Sequence, residues 1–357
     1  MKKLLFLLWS ASIGVAAAQT SGNPAQRDLV EQGVRLYDDG KYDEAVTKYQ
    51  QALATDPADE VANSELALTY NALHRYAEAA AVCEKLLKTN PEIAGSVYVT
   101  YGNSLDGQKK VKQALQAYDD GLRHHPNYYA LYYNKGIAQA GSGEAAGAIS
   151  SFQQSVLRNP NHASSHMSLG LVQSRTDARI PSILALARFL VLEPGSQRAT
   201  QRLPVLDKEM MAGVTQTGEQ AITISLSEKA VKDAGRKREI PDNFGQAELV
   251  LAAAGAQNLG EDGQAVSSME RFSKQLTVLC EDLAELSAKK PTGFTWGYYV
   301  PYFVELEKKG YVPALTYLIH SSQTDAPEVQ QWLVAHPNEV AVFREWSKNY
   351  LWPKPLK

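Results

Sequence analysis

Residues Gln26–Asp59 read QRDLVEQGVRLYDDGKYDEAVTKYQQALATDPAD, with Gly33, Ala45, Tyr49 and Pro57 as fixed points. The same comb returns down the chain. Its first tooth is Gly33, Ala67, Gly102, Gly136 and Gly170, at steps of 34, 35, 34 and 34 residues. Twelve residues on stands a small residue: Ala45, Ala79, Ala114, Ala148 and Ser182. The third tooth is Tyr49, Cys83, Tyr118, Phe152 and Leu186; the fourth is Pro57, Pro91, Pro126, Pro160 and Pro194. One tooth alone says little. Twenty positions in register specify a repeat.

A period of about 34 with this spacing resembles the tetratricopeptide repeat (TPR) family, over nearly half of the chain. The resemblance implies an all-α, superhelical α-α solenoid of helix–turn–helix units, followed by a smaller helical domain. The repeats would be Gln26–Asp59, Glu60–Ile93, Gly95–Tyr128, Tyr129–His162 and Ala163–Ser196, with Ala94 as an extra residue. In such units the first-helix Gly or Ala lies against the second-helix Ala, where a larger side chain overpacks. The aromatic fills the space between hairpins, and the Pro ends the second helix. A hairpin cannot bury its apolar side alone, so neighbours stack.

Working outward, Lys2 and Lys3, the apolar run Leu4–Val15 and Ala16-Ala17-Ala18 spell a secretory signal over residues 1–18, with the mature chain starting near Gln19. An uncleaved anchor is the alternative. The signal has a bacterial look and predicts a periplasmic or secreted protein. Residues 19–25 form a polar leader. Gln197–Ala212, with Leu203, Leu206 and Met210 or Met211 on one side, reads as the helix that caps a solenoid spanning 26–212. Residues 213–243 break the pattern as a linker or short extended segment, where Ile222, Ile224 and Leu226 alternate.

Residues 244–353 read as a C-terminal helical domain docked on the end of the solenoid or beside it. Met269, Phe272, Leu276, Leu279, Leu283 and Leu286 line one seam of a helix. Asp325-Ala326-Pro327-Glu328 spells a capping box. The run Phe294–Phe303 is the most aromatic of the chain. It reads as core, with an exposed sugar- or peptide-binding patch as the alternative.

The net charge of −3 over 357 residues argues against a nucleic-acid binder. Cys83 and Cys280 are too few for a disulfide framework; they read as core filler, with a single bridge between them left open. No phosphate loop, dinucleotide fingerprint or His-Glu-x-x-His occurs, and Ser287-Ala288-Lys289-Lys290 lacks the partner motifs of a Ser-x-x-Lys enzyme. His162 and His166 are four apart, but no third ligand is evident. We therefore expect no enzyme, no metal and no cofactor.

The family resemblance places binding on the concave face, lined by first helices. There the positions of a carboxylate clamp hold Val30, Val34, Glu65, Ser96 and Thr100, so recognition of acidic C-terminal tails is not expected. The expected groove comprises Asn71, Asn103, Tyr133, Asn134, Ile137, Met167 and Leu171, a mixed apolar and amide-rich surface for a protein or peptide. The alternative is a ligand-binding or enzymatic C-terminal domain near Trp296–Tyr302, with the repeats as a targeting arm.

Overall fold

The computed structural model describes residues 23–216, 222–235, 240–259 and 266–354. The signal of 1–18, the first part of the leader, and parts of the 213–243 segment lie outside the described residues. Within them, each comb unit folds into the helical pair it specifies. The pairs are α1 (Pro24–Asp38) with α2 (Tyr42–Thr55), α3 (Glu60–Ala72) with α4 (Tyr76–Thr89), and α5 (Gly95–Gly107) with α6 (Val111–His124). Then follow α7 (Tyr129–Gly141) with α8 (Ala145–Arg158), α9 (Ala163–Arg175) with α10 (Arg179–Leu192), and the single helix α11 (Gln197–Met211).

The ends of these helices repeat as faithfully as the comb. Asp56, Asn90 and Asn159 each precede a proline and sit at φ −135°, −139° and −137° with ψ 94°, 90° and 88°. The proline ring excludes the helical region for the residue before it, and the second helix stops there. Inside each hairpin the first helix ends on a left-handed residue: Gly40, His74, Lys109, Gly143 and Asp177, with φ between 52° and 85°. The next residue donates back across the turn, as in Lys41 N to Leu36 O (2.8 Å) and Lys110 N to Leu105 O (2.9 Å). This is a Schellman closure. Only two of the five positions carry glycine, so His74, Lys109 and Asp177 bear the Cβ penalty of that conformation. Lys109→Gly is therefore expected to stabilise by about 0.5–1 kcal/mol, read as a higher urea midpoint. A lower midpoint would show that the left-handed turn carries no strain.

The chain packs as two compact units, Met1–Ala117 and Tyr118–Lys357, divided within α6. In the first, α1 to α5 pack in sequence on Tyr49, Leu66, Tyr70 and Ala79, then on Ala67, Cys83, Leu86 and Val97. In the second, one continuous core runs from Ala148 to Trp352. At its middle lies α10, buried at every residue from Arg179 to Val191. A helix apolar on all sides is one covered on all sides. Here α9 and α11 cover it, together with α13 (Gly245–Leu259), α15 (Phe294–Lys308) and α16 (Val312–Ile319). The last repeat and the C-terminal helices thus share one core. α14 (Ser268–Ser287) carries the expected seam inward, with Leu279 and Leu283 fully buried. α12 (Glu228–Ala234), α17 (Pro327–Ala335) and α18 (Pro337–Lys348) complete the helices. The 213–243 segment contributes an antiparallel pair, β1 (Val214–Gln216) and β2 (Ile222–Ile224), with Val214 opposite Ile224.

Two expectations change, and one open alternative closes. The comb glycines face the third tooth rather than the second. A Cβ on Gly136 would sit 2.6 Å from Phe152 Cε1, and one on Gly170 would sit 2.7 Å from Leu186 Cγ. The aromatic therefore packs within its own hairpin, flat over the glycine. The box at Asp325–Glu328 does not form: the α17 N-cap is Ala326, without a side-chain cap. Glu328 instead accepts hydrogen bonds from Ser267 and from the Tyr317 hydroxyl. Cys83 and Cys280 are both free, buried thiols, and burial pushes the Cys83 thiol up to about 12.

Candidate partner-binding surface

Helical spacing aligns Tyr133 with Ile137 on α7 and Met167 with Leu171 on α9, and α7 touches α9. All four are partly buried and lean on the core of the second unit. Tyr133 packs against Phe152 (5.9 Å between ring centres) and edge-on against His162 (4.9 Å). Burial raises its hydroxyl pKa, and Ser168 and Ser164 lie within its hydrogen-bond reach. The result is a partly buried stripe of aromatic and aliphatic surface with a polar tip. Such a surface can bind an apolar side chain and still hydrogen-bond a backbone.

The amide residues behave differently. Asn71 donates to the Thr100 carbonyl (3.1 Å) and to Ser104 Oγ (2.8 Å), so its side chain ties α3 to α5 within the first unit. Asn134 donates to Ala130 O (2.8 Å) on its own helix. Asn103 is half-buried on α5. The expected amide-rich surface is therefore partly consumed by the fold: Asn71 is a strut, and Asn134 spends one of its two amide hydrogens on its own helix. Spacing alone could not show this, because an Asn on a first helix reads the same whether it faces a ligand or the next helix.

The two histidines are separately employed. His166 is fully buried; its Nε2 donates to Pro160 O (2.9 Å), and its Nδ1 faces the Tyr299 hydroxyl (2.6 Å), which donates to it. Burial first, and the nearby Arg188 cation second, lower its pKa to about 3. His162 pairs with Ser165 Oγ at 2.7 Å, and burial beside Arg198 lowers its pKa to about 4. Neither ring has a metal-binding geometry with the other, and no group of three candidate ligands occurs among the described residues.

The aromatic run is core. Tyr299, Tyr302 and Phe303 are fully buried, and Trp296 stacks on Phe244 at 4.3 Å. Of its aromatic rings, Phe294 and Tyr298 reach a shallow depression of about 360 Å³, completed by Gln154, Leu157, Gly293, Gly297, Pro353 and Lys354. No nucleophile with an adjacent base lines it. Behind the run sits a group the sequence did not flag: Arg188, buried among the Tyr302 and Trp352 rings (5.5 and 5.0 Å). It donates to Ser347 Oγ (2.7 Å) and Asn161 Oδ1 (3.0 Å). Its signal was an Arg inside the otherwise apolar run Ile183–Leu192.

Residues 36–95 and 101–164 each match a family model described as tetratricopeptide repeat. The Hsp70-Hsp90 organising protein of Plasmodium falciparum is 32% identical over 107 residues, which is 30% of this chain and 42% of that one. Hsp70-Hsp90 organizing protein 1 of Glycine max is 32% identical over 101 residues, 28% of this chain and 18% of that one. The chain thus spans less than half the length of these curated relatives. Among solved structures, a thermophilic TPR protein of Thermus thermophilus superposes with a TM-score of 0.45 at 22% identity, covering 51% of this chain and 98% of that one. PilW, a type IV pilus biogenesis factor, gives a TM-score of 0.45 at 18% identity, covering 54% of this chain and 84% of that one. No helix among the described residues is long and apolar enough to cross a membrane.

Proposed function

Given that the chain is a tetratricopeptide-repeat protein, we propose that it is a non-enzymatic interaction scaffold holding a protein or peptide partner along its first-helix faces. The observation that carries this reading is the partly buried stripe of Tyr133, Ile137, Met167 and Leu171. These side chains retain apolar surface where the alanine and aromatic teeth of the comb are sealed. The curated relatives are named as organising proteins for two others, which agrees with a scaffold role. The amino-terminal Lys2-Lys3 and Leu4–Val15 pattern supports an exported protein, acting in the periplasm or outside the cell. The helices after α11 then serve as the cap that seals the last repeat, since they cover α10.

The test is recovery of a stoichiometric partner on the tagged full-length protein in its native host, followed by the double variant Met167→Ser and Leu171→Ser. Affinity is expected to fall about ten-fold or more, with a loss of stability of roughly 1–2 kcal/mol because both residues are only partly buried. Unchanged affinity in the double variant would sink the assignment of this stripe.

A further inference from the structure

Three segments far apart in the chain meet at the depression of about 360 Å³: α8, the first turns of α15, and Pro353-Lys354 beyond α18. Gly297 lines it from α15 and is exposed. A glycine inside a helix gives up stability that alanine would supply. At Gly136 the Phe152 ring demands that loss, yet at Gly297 nothing lies within 4 Å of a Cβ. The fold does not require this glycine, and its presence leaves bare backbone at the depression.

One turn on stands Pro301, inside the same helix and likewise exposed. Proline has no N–H to donate to the carbonyl four residues back, which is that of Gly297. No turn or side-chain donor among the described residues replaces it. The Gly297 carbonyl is thus an acceptor without its helical donor. From α8 the half-buried Gln154 lines the same depression. Its Oε1 accepts from Arg158 Nη1 at 2.7 Å. A guanidinium only donates, so this bond orients the carboxamide and leaves Nε2 without a partner among the described residues. Leu157, Phe294 and Pro353 supply apolar walls, with the Phe294 ring stacked on Tyr298 at 5.0 Å. Lys354 is exposed and has no ion pair among the described residues.

We infer that this depression binds an extended peptide segment of a partner protein, with one apolar side chain followed by an acidic one. A peptide N–H meets the Gly297 carbonyl, and a peptide C=O takes a hydrogen from Gln154 Nε2. The apolar side chain covers Phe294 and Leu157, and the acid faces Lys354. An extended backbone offers N–H and C=O in alternation, which matches one open acceptor and one open donor. A sugar brings more hydroxyl groups than these two partners satisfy. None of Tyr133, Ile137, Met167 and Leu171 lines the depression, so this site stands apart from the first-helix stripe.

The experiment titrates the isotopically labelled full-length protein by NMR with acetyl-Ala-Leu-Asp-Ala-amide, with versions holding Ser for Leu or Lys for Asp, and with chitobiose. The first peptide is expected to shift the Gln154 side-chain amide and the Gly297 backbone amide to saturation. The Ser version should bind about ten-fold weaker and the Lys version a few-fold weaker. Gly297→Leu places a side chain where the peptide backbone lies, and should bind the first peptide at least ten-fold weaker while melting no lower than the parent. Gln154→Met, on the other helix, is the second variant and should weaken binding a few-fold. Absence of saturable shifts at these two amides, equal binding of the Leu and Ser peptides, or unchanged affinity in both variants would overturn the inference. So would saturation by chitobiose in place of peptide, or shifts of the same amides with protein concentration alone, which would put a second copy there.

Discussion

Gly293→Ala is expected to cost about 3–5 kcal/mol, among the largest effects of any single methyl group in this chain. Gly293 is the N-cap of α15 at φ 126° and ψ 164°, a region that residues with a Cβ essentially never occupy. A Cβ there would also overlap the backbone nitrogen and carboxylate of Asp242. That carboxylate caps α15 from 53 residues away: Asp242 Oδ1 accepts from Thr295 N at 2.8 Å, while Asp242 N donates to Thr292 O at 2.8 Å. The added methyl would dislodge the cap and with it the helix that carries Tyr299, Tyr302 and Phe303 into the core. Gly297→Ala, one turn further on in the same helix, is the control. Nothing lies within 4 Å of its Cβ position, so it should be neutral or gain up to about 1 kcal/mol. Urea unfolding of the two variants checks the contrast. A loss below about 1 kcal/mol for Gly293→Ala would contradict the close approach described here.

Trp352→Ala is expected to lose about 3–5 kcal/mol, although the residue lies in a stretch without helix or strand near the chain's end. Trp352 is 9% exposed and stacks on Tyr298 (4.7 Å) and Tyr302 (4.9 Å), with Tyr350 edge-on at 5.0 Å. It also covers the Arg188 guanidinium at 5.0 Å. Truncation would open a cavity beside a buried cation that has no carboxylate partner among the described residues, so water entry or repacking cannot restore both terms. Leu351→Ala, at 92% exposure, should change stability by less than about 0.5 kcal/mol. Equal effects at 351 and 352 in thermal or urea unfolding would mean that the segment after α18 does not belong to the core.

The repeats were legible because their signal is redundant. Gly136 and Phe152 must meet, Asn159 must leave the helix before Pro160, and the same pair of constraints recurs every 34 or 35 residues. The partner of the glycine was misassigned because periodicity fixes which residues recur, not which of two second-helix teeth faces the first helix. The left-handed turn was hidden for a similar reason. Gly40 and Gly143 announce it, whereas His74, Lys109 and Asp177 adopt it against their own preference. The burial of α10 was readable in Ile180, Ile183, Leu184, Leu186, Phe189 and Leu190, which cover the helix all round. What covers it was not readable, since α13, α15 and α16 return from far along the chain. The candidate surface was legible only as a set of positions. Whether Asn71 faces solvent or Ser104 depends on the neighbouring helix, which the residue itself does not encode.

The central claim, that partner binding lies on the first-helix faces, is tested most directly by position-specific photocrosslinking in the native host. A benzophenone side chain placed singly at Ile137, Met167 or Leu171 is compared with one at Ala146 on α8 or Val334 on α17, both exposed away from the stripe residues in sequence. The account predicts one shared protein adduct from the first three positions and none from the last two. Adducts from Val334 or Ala146 with none from the stripe would contradict it.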